Sequence, residues 1–461
     1  MIKNIPALLK LGVLVLSLGT NYSAFAVNNI SLVQVTKDVT YLASDTLKGR
    51  GNFSPEISQA AKYIAKRFQE NGLVAINAKS TQGYLQKYHV TTISPKKLKL
   101  TLNNNAIAAE HLTMASTVAN FSWTSKKPSS DTRDFTLHTI GKNENMRAVI
   151  SRLNQQGGQH LVLLNPEHKK LFSSYQHYFQ QGITKLAQTK PTKAQGGVIV
   201  IVLTDITAKQ INSLSLSGVS HISKTELTNV VAVLPGTTKP EEIVLYSAHY
   251  DHLGIKGTST DTDTDTIYNG ADDDASGTTA IINLAQYYAQ QGNNARTLMF
   301  SAFSAEEIGG FGSQYFSTQI DPKTITAMIN IEMIGKPSKF GAGTVWMTGM
   351  ERSNLGEQLN VELAKTGKQI YKDPYPEQGL FYRSDNATLA RLGVPAHSFS
   401  STQLDKDQHY HQVSDDLASL NLPSLHQVIQ ALASATQPLV DGTITPSRID
   451  KNLINKKGLI Y

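Results

Sequence analysis

The 461-residue chain contains no cysteine. That absence excludes disulfide staples, thiolate-held zinc and thiol catalysis together. Stability must therefore come from packing and from whatever the fold binds. Charge is also sparse: charged residues make up 17% of the chain against 40% hydrophobic, which excludes an intrinsically disordered protein. The net charge is +7, yet there is no long Lys/Arg run, so no nucleic-acid partner is expected. No apolar run reaches the ~20 residues that cross a bilayer, so no stable membrane anchor is expected.

The first 26 residues do carry a short apolar stretch, Leu11 to Leu18, behind Lys3 and Lys10. With Ala24-Phe25-Ala26 as a small-x-small cleavage pattern, 1–26 reads as a secretory signal peptide. The expected location is exported, periplasmic or secreted.

Texture divides the remainder. Residues 27–92 open with Tyr41 to Gly51 and then a helix that starts near Ser54-Pro55 and stops near Gly72. Arg50, between two glycines, reads as a turn residue. Residues 93–228 are richer in Gln, Thr and scattered Lys, with strand-like runs at Leu161 to Leu164 and Val198 to Leu203. This segment shows no catalytic constellation, and its His160, His168 and His177 read as exposed. It is expected to be an inserted smaller domain of unassigned role. From Asn229 to about 440, strands and helices alternate, which argues for a mainly parallel sheet covered on both faces. Residues 441–461 read as a tail that wraps the surface or frays.

The chain is organised around Tyr246 to Gly277. An apolar run, Ile243 to Tyr246, leads into Ala-His249-Tyr-Asp251-His-Leu-Gly. After a polar loop comes Gly-Ala-Asp272-Asp-Asp-Ala-Ser-Gly, opening a helix. Ligands of open α/β sheets bind beyond the carboxyl ends of strands. Glu306-Glu307, Glu332 and His411 also follow predicted strands. Each alone reads as a polar surface residue; together they fall at one sheet edge. A two-metal centre needs a bridging carboxylate and two further ligands per ion. His249, Asp272, Glu307, Glu332 and His411 supply five, which leaves Glu306 free as a general base. Asp251, two residues past His249, is placed to hold the other imidazole nitrogen. The Asp261-Thr-Asp263-Thr-Asp265 loop reads as solvated.

These motifs, with Asn330-Ile-Glu332-Met-Ile-Gly, Arg383-Ser-Asp385 and Asp407-Gln-His-Tyr-His411, resemble the co-catalytic zinc exopeptidases related to bacterial leucyl aminopeptidase and glutamate carboxypeptidase. The resemblance also covers Leu42 to Gly72. It implies a three-layer α/β/α sandwich, phosphorylase/aminopeptidase-like, and two zinc ions per chain. His249 and Glu332 would hold one zinc, Glu307 and His411 the other, with Asp272 bridging and a cis peptide bond after it. Glu306 would be the base for a metal-bound hydroxide attacking a peptide substrate. Tyr382, Asp385 and Asn386 are expected near substrate. The family commonly has Asp where Glu332 stands and His where Asn386 stands. The implied activity is aminopeptidase; a carboxypeptidase or dipeptidase of the same fold, and a catalytically inactive receptor-like module, are the alternatives. The sequence leaves the oligomeric state open.

Overall fold

The computed structural model describes residues 29–77, 83–126, 134–187, 196–257, 265–455 and 458–461. The signal-like segment 1–26, Asp261 and Asp263 lie outside these residues. The chain forms two compact units. One draws its described residues from Met1–Lys87 and Leu227–Ile454, the other from Tyr88–Glu226 and Asn455–Tyr461.

The first unit is built on a sheet whose strands are β1 (Ser213–Leu234, its last residues), β2 (Lys239–His249), β3 (Arg296–Phe303), β4 (Ile325–Ile331), β5 (Val345–Met347), β6 (Ile370–Lys372) and β7 (Ala396–Ser400). They lie in the order β6-β5-β7-β4-β2-β3-β1. The four parallel pairs are β2 with β3, β2 with β4, β4 with β7, and β5 with β6. Among these strands, β1 against β3 and β5 against β7 run antiparallel.

Strand residues are apolar on both sides because both faces are covered. Val244, Tyr246 and Ala248 point into one core, shared with helices Leu32–Leu42, Pro55–Glu70, Gly277–Gln291, Leu355–Ala364 and Leu422–Val440. Leu245, between them, points into a second core with Phe316 and Leu389 from helices Phe311–Gln319 and Asn386–Ala390. This is the three-layer α/β/α arrangement expected from the strand–helix alternation. Burying each large side chain of these layers contributes about 1.5–3 kcal/mol. Tyr246 and Tyr288, both fully buried, offset the cost of their hydroxyls by sharing Thr436, at 2.8 and 2.7 Å.

The second unit holds a four-stranded sheet in the order Leu112–Ser116, Gly197–Leu203, Gly158–Leu164, Thr136–Ile140. Helices Met146–Gln156 and Lys169–Gln180 follow two of its strands. His160 is buried, not exposed: its Nδ1 lies 3.1 Å from His138 Nε2 and its Nε2 donates to the Gly157 carbonyl at 2.7 Å. The tail also departs from expectation. Ile460 enters the core of this unit, and Asn154 Oδ1 accepts from the backbone amides of Ile460 and Tyr461. A buried isoleucine and paired amides leave no reason to fray.

Candidate metal centre

Register delivers the site. His249 ends β2 directly beside Phe303, the last residue of β3, and Ser247 of β2 pairs with Asn330 of β4. Three neighbouring parallel strands therefore stop at one level. His249, Glu306-Glu307 and Glu332 sit at or just past their carboxyl ends, as ligand-binding groups of such sheets do. The Asp272-Asp273-Asp274 turn precedes helix Gly277–Gln291, and His411 comes from the loop after β7. Three left-handed non-glycine residues fall at these points: Ala305 (φ 61°), Met333 (φ 52°) and His411 (φ 56°). Each such conformation costs about 1–3 kcal/mol and aims a side chain that relaxed backbone would point elsewhere.

The side chains meet around Asp273 and Glu307. His249 Nε2 lies 3.1 Å from Asp273 Oδ1, and His411 Nε2 lies 3.3 Å from both Asp273 Oδ2 and Glu307 Oε2. Donor atoms around a tetrahedral ion with ligand distances of ~2.0–2.1 Å are separated by about 3.3 Å. His249 Nε2 and Glu307 Oε1 are buried and have no hydrogen-bond partner among the described residues. Buried polar atoms without partners are costly and call for an ion. Cations also suit the charge balance. Enclosure in the protein, with Glu332, Asp385 and Glu307 beside it, pushes the Glu306 carboxyl well above its usual range, against the pull of His249. Burial likewise raises Glu332, to about 7. The donor set fits divalent metal of the kind imidazole and carboxylate hold.

One expected ligand is corrected. Asp272 does not face the cluster. Its Oδ1 accepts from Gly335 N at 2.7 Å, its Oδ2 accepts from Thr402 Oγ1 at 2.6 Å, and Lys336 Nζ stands 3.4 Å away. These bonds use up the carboxylate, and the next residue, Asp273, takes the central position. The cis peptide bond likewise lies one place on, between Asp273 and Asp274. Asp251 also acts differently from the expectation. His249 Nδ1 donates to its backbone carbonyl at 3.1 Å, while its carboxylate is 3.8 Å away. That carboxylate instead accepts from Glu306 N (3.1 Å), Glu307 N (3.2 Å) and Asn52 Nδ2 (2.6 Å). It fixes the turn that aims both glutamates.

A cavity of about 390 Å³ opens beside the cluster. Glu306, Glu332 and His411 line it, with Trp346, Tyr375 and Arg383 on its walls. Tyr382 and Asn386 are not among its lining residues. Tyr382 packs at the edge of the second core. Asn386 donates to the carbonyls of Phe381 and Ala396 and accepts from Ser398 Oγ. It is a buried brace for Ser398, which does line the cavity. Asp385 is buried, and its charge acts on Glu306 and Glu332.

Two residues escaped the sequence reading. Arg50 is fully buried and donates to the carbonyls of Leu42, Asn269 (2.6 Å), Gly270 (2.9 Å) and Tyr250 (2.8 Å). It ties the end of β2 to the turn before the aspartate triplet, and burial lowers its pKa to about 10. His252, three residues beyond His249, reaches the cluster with its Nδ1 2.7 Å from Glu307 Oε1. The repeated imidazole in His249-Tyr-Asp-His252 was the available signal.

Residues 229–436 match the model of Peptidase family M28. Leucine aminopeptidase 1 of Neurospora crassa is 27% identical over 209 residues, 43% of this chain and 50% of that protein. A protein of Pyrenophora teres f. teres described as "Probable zinc metalloprotease" is 35% identical over 120 residues, 26% of this chain and 24% of its own. Among the leucine aminopeptidases, the chain spans about half the length of the curated relatives it matches. The aminopeptidase from Aneurinibacillus sp. strain AM-1 superposes with a TM-score of 0.53 at 16% identity, covering 93% of this chain and 97% of that one. That likeness is one of fold.

Proposed function

We propose that the protein is an exported zinc metallopeptidase that removes N-terminal residues from peptides, a reading supported by the match of residues 229–436 to the model of peptidase family M28. The observation that carries this reading is the convergence of His249, His411 and Glu307 on Asp273, with Glu306 in the wall of the adjoining cavity. The donor set divides naturally between two zinc ions. His249 and Glu332 would serve one, Glu307 and His411 the other, and the two oxygens of Asp273 would be shared. Bound zinc would acidify a coordinated water and polarise the scissile carbonyl.

The chain's own residues supply the rest. Asp251 anchors the backbone amides of Glu306 and Glu307, so both carboxylates are pre-set rather than ordered at each turnover. Glu306 accepts the proton of the attacking water on a carboxylate oxygen and returns it to the leaving amine. Its enclosed, acid-flanked position raises its proton affinity, as that role requires. With Asp273, Glu307 and Glu332 committed to metal, Glu306, Glu377 and Asp405 remain as acidic cavity residues against Arg383. That balance suits a substrate ammonium better than a carboxylate and supports the aminopeptidase reading over the carboxypeptidase one. Export rests on the signal-like sequence of residues 1–26.

A panel of aminoacyl chromogenic amides, run with and without chelator, tests the reading. We expect chelator-sensitive turnover of free-amine substrates and none of their N-acetyl counterparts. Turnover of amino-blocked peptides bearing a free carboxylate would reverse the assignment.

A further inference from the structure

We infer that His252 is a metal ligand, joining Glu307, His411 and Asp273 around one ion; this rests on the two-metal reading above. His252 is 1% exposed, and neither ring nitrogen has a hydrogen-bond partner among the described residues. An imidazole buried in that state loses its hydration and gains nothing in return unless something else occupies the nitrogen. Its Nδ1 lies 2.7 Å from Glu307 Oε1 and 3.8 Å from Asp273 Oδ2, but the short contact does not have hydrogen-bond alignment. Donor atoms of His252, Asp273 and Glu307 all lie within 4.8 Å of one another. The His411 ring stands 5.8 Å from the His252 ring, on the same two carboxylates.

The fold makes room for this ring on purpose. Gly270 has φ +59°, and a Cβ there would come within 2.2 Å of the Asp273 carbonyl and 2.4 Å of the His252 imidazole. The backbone of His252 is pinned too, its amide donating to the Arg50 carbonyl at 3.3 Å in an isolated parallel bridge to Gly51. A side chain held this firmly, beside two carboxylates and empty-handed, is placed to bind.

The consequence is asymmetry. One ion has four protein ligands, Asp273, Glu307, His411 and His252. The other has three, Asp273, His249 and Glu332. The four-ligand position fills first and releases its ion last.

The test uses the full chain, stripped of metal and titrated with Zn²⁺ against a chromophoric chelator. X-ray absorption at the zinc edge, on protein loaded with one equivalent, counts imidazoles at the tighter position. We expect two binding steps in the wild type and two imidazoles at the tighter one. His252→Gln keeps a polar side chain of similar size. It should weaken the tighter step by more than the ~10–100-fold typical of residues that only orient a ligand, and leave the weaker step in place. His252→Ala serves as a second variant should Gln perturb folding, which circular dichroism reports separately. Unchanged zinc affinities in a folded variant, or one imidazole at the tighter position, would overturn the role of His252 while leaving the two-metal reading intact. No zinc binding in the wild type would overturn both.

Discussion

Asp272 and Asp273 are adjacent and chemically identical, yet the structure gives them opposite jobs, and Asn substitutions at the two should behave as opposites. Asp272 spends its charge on protein: bonds from Gly335 N and Thr402 Oγ1, and Lys336 at 3.4 Å. Hydrogen bonds to a charged group contribute about 1.5–3 kcal/mol each, and Asn retains one acceptor, so Asp272→Asn should cost about 3 kcal/mol. In a unit of this size that lowers Tm by several degrees. Asp273 sits among Glu307 and three imidazoles. Burial alone would raise its carboxyl. The close His249, His411 and His252 imidazoles outweigh that and hold it well below the usual range. On the proposed reading its substitution removes a ligand position. Zinc at 100 times its dissociation constant stabilises a folded protein by about 2.7 kcal/mol. Asp273→Asn should abolish that increment, so that its metal-free and zinc-loaded Tm values coincide. Scanning calorimetry of both variants, metal-free and zinc-loaded, reads all four numbers. If Asp272→Asn lost the zinc-induced shift while Asp273→Asn kept it, the assignment of the central carboxylate would be wrong.

Three further outcomes follow from the same coordinates. Glu306→Gln should retain zinc, measured by elemental analysis, while kcat falls by about 10²–10⁴-fold, the usual contribution of a positioned general base; retained turnover would remove Glu306 from the mechanism. Lys336 Nζ neutralises Asp407 at 2.9 Å, Asp272 at 3.4 Å and Asp415 at 3.9 Å, so Lys336→Met should destabilise by about 3–5 kcal/mol, measured by urea denaturation, because it strands buried carboxylates. His397 is buried with Nδ1 donating to the Thr348 carbonyl and Nε2 accepting from Ser353 Oγ, and burial lowers its pKa to about 4. The unfolded chain then binds more protons between about pH 6.5 and 4, so stability falls by up to about 3 kcal/mol as pH drops through that window. An NMR titration placing this imidazole near 6.5 would contradict it.

Much of this was legible in the sequence, for identifiable reasons. β2, β3 and β4 each carry an apolar stretch, Ile243 to Tyr246 in β2, because parallel strands are covered on both faces, and their ends mark the site edge. His249, Glu306, Glu307, Glu332 and His411 come to the same cavity or cluster for that reason. What escaped was set by rotation and long-range contact. Three consecutive aspartates carry no signal saying which one turns inward; Gly335, Thr402 and Lys336 decide it for Asp272, and all lie more than sixty residues away. Arg50 read as a turn residue because its four carbonyl partners, at Leu42, Tyr250, Asn269 and Gly270, are backbone atoms without a sequence signature. Asn386 read as substrate-facing because position along the chain does not reveal that Ser398 stands between it and the cavity. The short strands Val345–Met347 and Ile370–Lys372 were missed because three residues carry too little periodicity.

The central claim, that Asp273 stands between two zinc ions, is tested most directly by anomalous diffraction at the zinc edge on crystals grown with zinc. Two peaks should flank the Asp273 carboxylate, one toward His249 and Glu332 and one toward Glu307 and His411. A single peak elsewhere on the molecule, or none at this carboxylate, would contradict it.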